Sequence, residues 1–419
     1  MSGPAPHILY VGAVLPKRSE TFVYREVLGL RRRGVAVSVA SVNASERDLG
    51  DAELDTLAAE AMRVYGEGVR GKLAVHLDAA RMRWWRPVRG LFETPPTYWP
   101  KYVFQSEAGY ALARRVRDRR ITHVHAHMAH VPATVAMACA EALGVPFSFT
   151  GHAADLFRDR SALRTKLRRA AFVACISAWH RGFYREFEPS LSEAKLPIVR
   201  CGVDVGEFTT VDPGEGETLL AVGRMVPKKG FDVLLRALAR IDDPSMRLTL
   251  VGDGPEEAAL RGLAEGLGVM DRVDFAGALP NAAVREWMGK AAAVVLPCRE
   301  AADGDRDGIP VVLMEAMARG VPVMSGDLVT IRELVADNQT GLMVTPGAVD
   351  ELSDALVRLW GDPEERRRLG AAGRRRVEEE FSMSVNLDRL EAAFARASAQ
   401  THTAGPRNLP GSGEVVGHV

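Results

Sequence analysis

Arg224 and Lys229 stand five residues apart in AVGRMVPKKG, directly after an apolar run that closes on Gly223. A planar guanidinium and a mobile ammonium on one strand-to-helix loop suit a diphosphate, the first as a fork of donors and the second as a point charge. A plain exposed basic loop is the alternative. Farther on, DGIPVVLMEAMARG carries Asp307 and Glu315 with seven residues between them. Glu315 interrupts an otherwise apolar helical run, where a carboxylate without partners is costly. It implies a wet face, an internal ion pair, or a polyol such as ribose donating two vicinal hydroxyls. Gly308 and Pro310 lead into that helix, and its first amides, at Ile309, Val311 and Val312, suit an anionic group. The Gly-rich turn in VGDGPEE is a weaker signal and indicates only close backbone approach.

In the first half, PFSFTGHAADLF sets His152 just after a strand-like run, with Asp155 near enough in sequence to orient it. THVHAHMAH carries His123, His125, His127 and His130. Alternation on a strand puts the first three on one face. Imidazole is a common metal ligand, but no carboxylate or cysteine stands alongside in sequence, so no metal is expected. LPKRSETF follows the first strand-like run: Ser19 or Thr21 can cap the next helix, and Lys17, Arg18 and Glu20 can face a cleft.

These residues need scaffolding, and the sequence supplies a regular one. HILYVGAV, VAVSVASV, HVHAHM, PFSFTG and FVACIS read as strands in the first half. TLLAVGR, MRLTLVGDG, RVDFAGAL, AAVVLPC, VPVMSG and GLMVT read as strands in the second. Helical stretches separate them. TFVYREVLGLRRR stops at Gly34, PEEAALRGLAEGL runs from Pro255 to a stop at Gly268, and PVVLMEAMAR runs from Pro310 to a stop at Gly320. Alternating strands and helices imply parallel sheets. The expected fold is α/β, two doubly wound Rossmann-like domains facing an interdomain cleft, with ligands outside the carboxyl ends of the strands. CGVDVGEFTTVDPGEGET reads as the linker between domains 1–205 and 206–380. Residues 66–104, with Trp84, Trp85, Trp99 and several prolines, read as a helical excursion. Residues 401–419 read as a disordered tail.

Composition narrows the function. Lys+Arg and Asp+Glu each number 54 in 419 residues, a formal net charge of zero, which argues against a bulk nucleic-acid partner. With 47% hydrophobic residues the chain can bury large cores. The four cysteines form no C-x-x-C pair, and no basic-then-apolar leader or membrane span is visible, so a cytoplasmic location is expected. The arginine runs 31–33, 366–368 and 374–376 read as solvated helix ends, with contact to an anionic membrane surface as the alternative.

From about Ile8 to Phe381, and most specifically between Gly223 and Gly320, the motifs in this order resemble glycosyltransferase family 4, the retaining enzymes of GT-B fold. LPKRSETFVYREVLGLRRRG and DGDRDGIPVVLMEAMARG resemble bacterial enzymes of exopolysaccharide assembly, such as colanic acid glycosyltransferases. The resemblance implies that Arg224 and Lys229 clamp a donor diphosphate and that Glu315 holds its ribose. Gly223 and the run Gly308, Ile309, Pro310, Val311 and Val312 join them in the donor site. Asp307 stands where the family has a first Glu, one methylene shorter, and is expected to meet the transferred sugar. His152 matches the family histidine that contacts that sugar near its 6-hydroxyl. Ser19, Glu20, Thr21 and His127 fall on the acceptor side, and residues 381–400 are expected to return to the first domain as a helix.

The implied reaction moves a hexose, such as glucose or N-acetylglucosamine, from a UDP- or other nucleotide-diphosphate sugar to an acceptor hydroxyl with retention. Double displacement needs a nucleophilic carboxylate about 5 Å from its acid partner, and no residue is placed for that role. The resemblance implies front-face attack, with no cofactor and no metal. The acceptor is a glycan, a lipid-linked sugar or a small product such as an aminocyclitol, with peripheral membrane contact as a further expectation. A GT-B-type nucleotide-sugar epimerase and a non-catalytic two-lobed sugar-binding protein are the competing readings.

Overall fold

The computed structural model describes residues 6–18, 20–47, 49–65, 68–81, 88–152 and 160–403. The first half forms a six-stranded sheet of β1 (His7–Gly12), β2 (Ala36–Ser41), β3 (Met62–Arg63), β4 (His123–His127), β5 (Phe147–Gly151) and β6 (Phe172–Cys175). The second half forms another, of β7 (Thr218–Val222), β8 (Leu248–Val251), β9 (Val273–Gly277), β10 (Ala291–Leu296), β11 (Val323–Gly326) and β12 (Leu342–Val344). Every strand-like run of the sequence forms a strand. The addition is β3, whose two residues are too few to show a period.

The strand orders are β3-β2-β1-β4-β5-β6 and β12-β11-β10-β7-β8-β9. Counted within each half, these are one and the same order, and all pairings between the strands are parallel. Near-continuous apolar strands such as AAAVVL, buried along their whole length, fit sheets covered on both faces by helices. The order reverses between β1 and β4 and again between β7 and β10. Loops leaving those four strands open onto the crevices where such sheets bind ligands. They carry Glu20, Thr21 and His130 in one half and Gly223, Lys229 and Asp307 in the other.

One core, built on β7, β8, β10 and β11, fills the second half. The first half buries apolar side chains on both faces of its sheet. On one of those faces Leu387, Leu390, Phe394 and Ala397 pack with Ile8, Tyr10, Val23 and Phe172. They belong to the helix Met383–Thr403, so the end of the chain lies against the beginning. The connecting segment holds two short turns, Val205–Glu207 and Pro213–Glu215, each capped by the aspartate before it. Where the chain crosses between the halves it does so twice, side by side: Val203 N donates to Phe381 O (2.9 Å) and Met383 N to Val203 O (2.8 Å).

The arginine runs are more committed than solvated helix ends. Arg33 binds Asp388 at 2.7 Å, tying the first helix to the last. Arg366, buried, donates to the carbonyls of Pro213 and Gly214, and Arg374 to Phe208 O. Guanidinium forks here satisfy linker carbonyls that have no ladder partner. Other expectations shift by a residue or two. The helix expected from Pro255 starts at Glu257, and Pro310 is the N-cap rather than the first helical residue. The excursion comprises helices Gly68–Arg81 and Trp99–Arg115 joined through two single turns, with Trp84 and Trp85 outside the described residues. No helix among the described residues is long and apolar enough to cross a membrane.

Candidate active site

The second half's crevice is held by salt links. After β7 the chain passes Gly223, so close to the next loop that a Cβ at Gly252 would lie 2.0 Å from the Gly223 carbonyl oxygen. That contact is the reason for glycine in VGDG, at a φ of +138°. Lys229 ends the turn Pro227–Lys229 and folds back over Gly223. Its Nζ lies 2.7 Å from Asp307 Oδ2, while Lys228 Nζ lies 3.5 Å from Oδ1 and 3.2 Å from Asp305. The Cys298 thiol donates to Asp307 Oδ2 at 3.3 Å. Burial alone would discourage ionisation of Asp307, but the two ammonium groups overcome it and hold the carboxyl below its usual range. Burial likewise opposes the charge on Lys229, and Asp307 more than restores it. Arg224 is exposed and has no ion pair with another described residue. The structure therefore brings Gly223, Lys229 and Asp307 together and leaves Arg224 reaching outward from the same loop.

Gly308 to Val312 lead from Asp307 into the helix Val311–Ala318. Glu315, one turn along it, is mostly buried and meets Arg25 Nη1 at 3.1 Å, across to the other half of the molecule. Burial pushes Glu315 up, with Arg25 partly offsetting it. Of the three options left open by the sequence, an ion pair is realised here. It is an ion pair between domains, 290 residues apart in sequence.

The first half's crevice is built from imidazole rings, hydroxyls and one carboxylate, Glu26. His123 Nε2 and His125 Nδ1 share Ser148 Oγ at 2.6 and 2.7 Å, and His125 Nε2 pairs with Thr150 at 3.0 Å. His127 Nδ1 lies 3.2 Å from His152 Nε2, and His127 Nε2 lies 2.8 Å from Glu26 Oε1. The Tyr10 hydroxyl donates to that same oxygen at 2.7 Å. Phe22 packs on the His152 ring, with centroids 4.7 Å apart. Burial pulls His123 down to about 3 and His125 and His152 well below the ordinary histidine value, the neighbouring rings adding to it.

Glu26 corrects the expectation that no carboxylate accompanies these histidines. It comes from the helix Thr21–Arg32, 101 residues away in sequence. Glu26, His125 and His127 offer ligand atoms within 4.8 Å of one another, a set that could hold a cation, although hydrogen bonds already engage the ring nitrogens. The same helix supplies Phe22 and Arg25, so one cleft-facing turn serves His152, His127 and Glu315. Reading on past Thr21 by one turn would have found all three, because helix neighbours three and four apart share a face. Thr21 is the first helical residue and not a cap; Glu20 stands at the N-cap without a capping bond and is held by Lys17 at 2.6 Å. Ser19 and Asp155 lie outside the described residues.

The two crevices face each other. Ile176, just after β6, lines a pocket with Glu26 and His127, and also lies against Gly308, 3.9 Å from where a Cβ there would sit. Nearby, Glu333 of the second half accepts from Ala178 N (2.8 Å) and Trp179 N (2.9 Å), capping a first-half helix, and pairs with Arg200. Sequence alone gave no hint of this clasp, since Glu333 carries no motif and its partners lie in the other half.

Comparison with known proteins completes the picture. Residues 19–207 match the family model described as Glycosyltransferase Family 4, and 207–376 that described as Glycosyl transferases group 1. A GDP-mannose-dependent monoacylated alpha-(1-6)-phosphatidylinositol monomannoside mannosyltransferase of Corynebacterium glutamicum is 32% identical over 337 residues, covering 75% of this chain and 83% of that one. The chain belongs to glycosyltransferase family 4. A Mycobacterium tuberculosis GDP-mannose-dependent alpha-(1-6)-phosphatidylinositol monomannoside mannosyltransferase is 35% identical over 233 residues, 51% of this chain and 59% of that protein's length. The putative colanic acid biosynthesis glycosyltransferase WcaL of Escherichia coli is 32% identical over 48% of this chain and 51% of its own. Among solved structures, sucrose-phosphate synthase from Thermosynechococcus elongatus superposes with a TM-score of 0.69 at 19% identity, covering 94% of this chain and all of that one. Anabaena HepE in complex with UDP and glucose also gives 0.69, at 16% identity, covering 93% of this chain and 99% of that one. These likenesses bear out the GT-B fold of this family 4 chain.

Proposed function

We propose that this protein transfers a hexose from a nucleotide-diphosphate sugar to an acceptor hydroxyl, with retention. The observation that carries the reading is Lys229 on the loop after β7, paired with Asp307 just before the helix Val311–Ala318, with Arg224 exposed on the same loop. A cation and the start of a helix lie together at the place where such sheets hold a diphosphate. Glu315 takes the ribose, exchanging Arg25 for hydroxyl donors. Asp307 and His152 meet the sugar from opposite halves. The acceptor attacks on the face from which the diphosphate departs, and the leaving phosphate oxygen takes its proton. The protein's part is positioning, plus stabilisation of charge on the leaving group. Lys229, Arg224 and the helix amides supply that stabilisation from the chain itself.

The GDP-mannose dependence of the mycobacterial and corynebacterial relatives makes GDP-mannose the first donor to try. A lipid-linked or polysaccharide acceptor follows from the same comparison, with an aminocyclitol as the small-molecule alternative. A matrix of nucleotide sugars against acceptors, read by mass, tests the proposal. The expected result is an acceptor heavier by one hexose together with free nucleoside diphosphate. Conversion of the donor sugar without acceptor would point to an epimerase instead. A thermal shift with a monosaccharide but with neither UDP nor GDP would point to a binding protein.

A further inference from the structure

We infer that Glu333 is a positioning residue that registers the first half of the molecule against the loop carrying Asp307. It thereby sets the separation of His152 and Asp307, the two groups that meet the sugar from opposite halves. The kinetic consequence rests on the glycosyltransfer reading, while the clasp itself does not depend on it.

After β6 the chain enters the helix Ala178–Phe187, with Ser177 at its N-cap. The first amides of a helix have no acceptor within it. Ser177 Oγ accepts from His180 N at 3.2 Å. Glu333, from the second half, takes the two amides before that one. Its Oε2 accepts from Ala178 N at 2.8 Å and its Oε1 from Trp179 N at 2.9 Å. Both oxygens of one carboxyl group thus engage one helix start, which fixes direction as well as distance. The positive end of the helix favours an acidic group there.

Glu333 is tied in turn to the donor loop and to the crossing between the halves. It closes the turn Ile331–Glu333, and Thr330, just before that turn, donates from Oγ1 to the Asp307 carbonyl at 3.0 Å. Arg306, the neighbour of Asp307, lies over the Trp179 ring, 5.2 Å from its centroid. The two segments that hold Asp307 therefore both grip the same helix start, one at its amides and one at its ring. Toward the crossing, Arg200 Nη1 lies 3.1 Å from Glu333 Oε2, and Arg376 Nη2 donates to Glu333 O at 2.9 Å. The Arg200 guanidinium covers the Phe381 ring at 4.9 Å, beside the paired crossing of Val203 and Phe381. Opening of the cleft about that crossing draws Glu333 and Arg306 off the helix start together. Transfer depends steeply on the placement of its reacting groups, so a residue that sets the angle between the halves acts on turnover through Asp307.

The test changes each side of the clasp in the full-length protein. Glu333→Ala removes the acceptor. Ala178→Pro removes one donor and leaves Glu333 in place. Ala178 is exposed and is the first helical residue, where proline is well tolerated, and Ser177 before it is extended, at φ −157° and ψ 164°. Small-angle scattering should give either variant a larger radius of gyration than wild type. Each should lower kcat about tenfold, the scale of a hydrogen bond to a charged group. The dissociation constant of GDP or UDP, whichever wild type binds, should stay within about twofold, because no donor contact is lost. The double variant should lose no more than Glu333→Ala alone, since the two changes break one contact. Unchanged radii or an unchanged kcat would overturn the inference. A nucleoside diphosphate affinity falling as far as kcat would overturn it too, by placing Glu333 in the donor site, and so would fully additive losses. If Glu333→Ala fails to fold, Ala178→Pro decides alone. If wild type transfers no sugar at all, the glycosyltransfer reading fails, and scattering still decides the clasp.

Discussion

The two halves share one strand order and one crevice position, yet the strand ends of the two crevices carry different chemistry. After β7 and β10 stand full charges: Lys228, Lys229, Asp305 and Asp307, paired at 2.7 to 3.5 Å. Along β4 and β5 stand imidazoles and hydroxyls, His123, His125, His127, Ser148 and Thr150, at 2.6 to 3.2 Å. The fold decides where a ligand sits; the residues at the strand ends decide what kind. Ion pairs held ready suit a diphosphate, whose two charges can replace Asp307 as the partner of Lys229. A hydrogen-bonded wall of rings and hydroxyls suits sugar hydroxyls, which need direction more than charge.

Acid should break this contrast most strongly. His123, His125, His152 and His180 are buried, with affinities for a proton lowered, to about 3 and about 4 for His123 and His180. The unfolded chain binds protons on these groups below about pH 6.5 while the folded chain does not, so stability falls as pH falls through 6.5. With four such groups the slope reaches about 5 kcal/mol per pH unit. Calorimetry between pH 7 and 5 should show the melting temperature dropping steeply. Hydrogen exchange should show the first half opening before the second, where Asp307 stays ionised to lower pH. A melting temperature flat across that range would contradict the neutral state of these four histidines.

Lys229→Ala comes next. It should cut turnover at least a hundredfold, about 3 kcal/mol in the range of losing one preorganised charge donor. Near-normal turnover would remove Lys229 from the clamp. Glu315→Gln should raise the donor KM about tenfold through weakened ribose contacts, with a smaller change in kcat. The smallest effect sharpens the boundary between the halves: Arg25→Ala and Glu315→Ala should be coupled by about 1 kcal/mol in a double-mutant cycle on thermal stability. Strict additivity would make the contact between the halves incidental.

How much was legible depended on whether the signal was local. Strand runs such as TLLAVGR and AAVVLPC carry their own pattern, so the two sheets were readable, while Met62–Arg63 was too short to carry one. Lys229 and Asp307 follow strands on either side of a switch point, and that topology alone brings them together. Glu26, Arg25 and Glu333 were not readable, because each gains its meaning from a partner more than a hundred residues away. The same distance explains why the histidine strand seemed to lack a carboxylate. Glu315 shows a third case: the sequence marked it as anomalous, and only the tertiary structure supplied Arg25.

We propose a division of labour, with the diphosphate held by the second half alone and the sugar met from both. Isothermal titration of GDP and UDP into wild type, Lys229→Ala and His152→Ala tests it without any acceptor. Lys229→Ala should weaken binding of the preferred nucleoside diphosphate at least tenfold, and His152→Ala should leave it within about twofold, as befits a lost charge contact against none. Equal weakening by both substitutions, or none by Lys229→Ala, would contradict the claim.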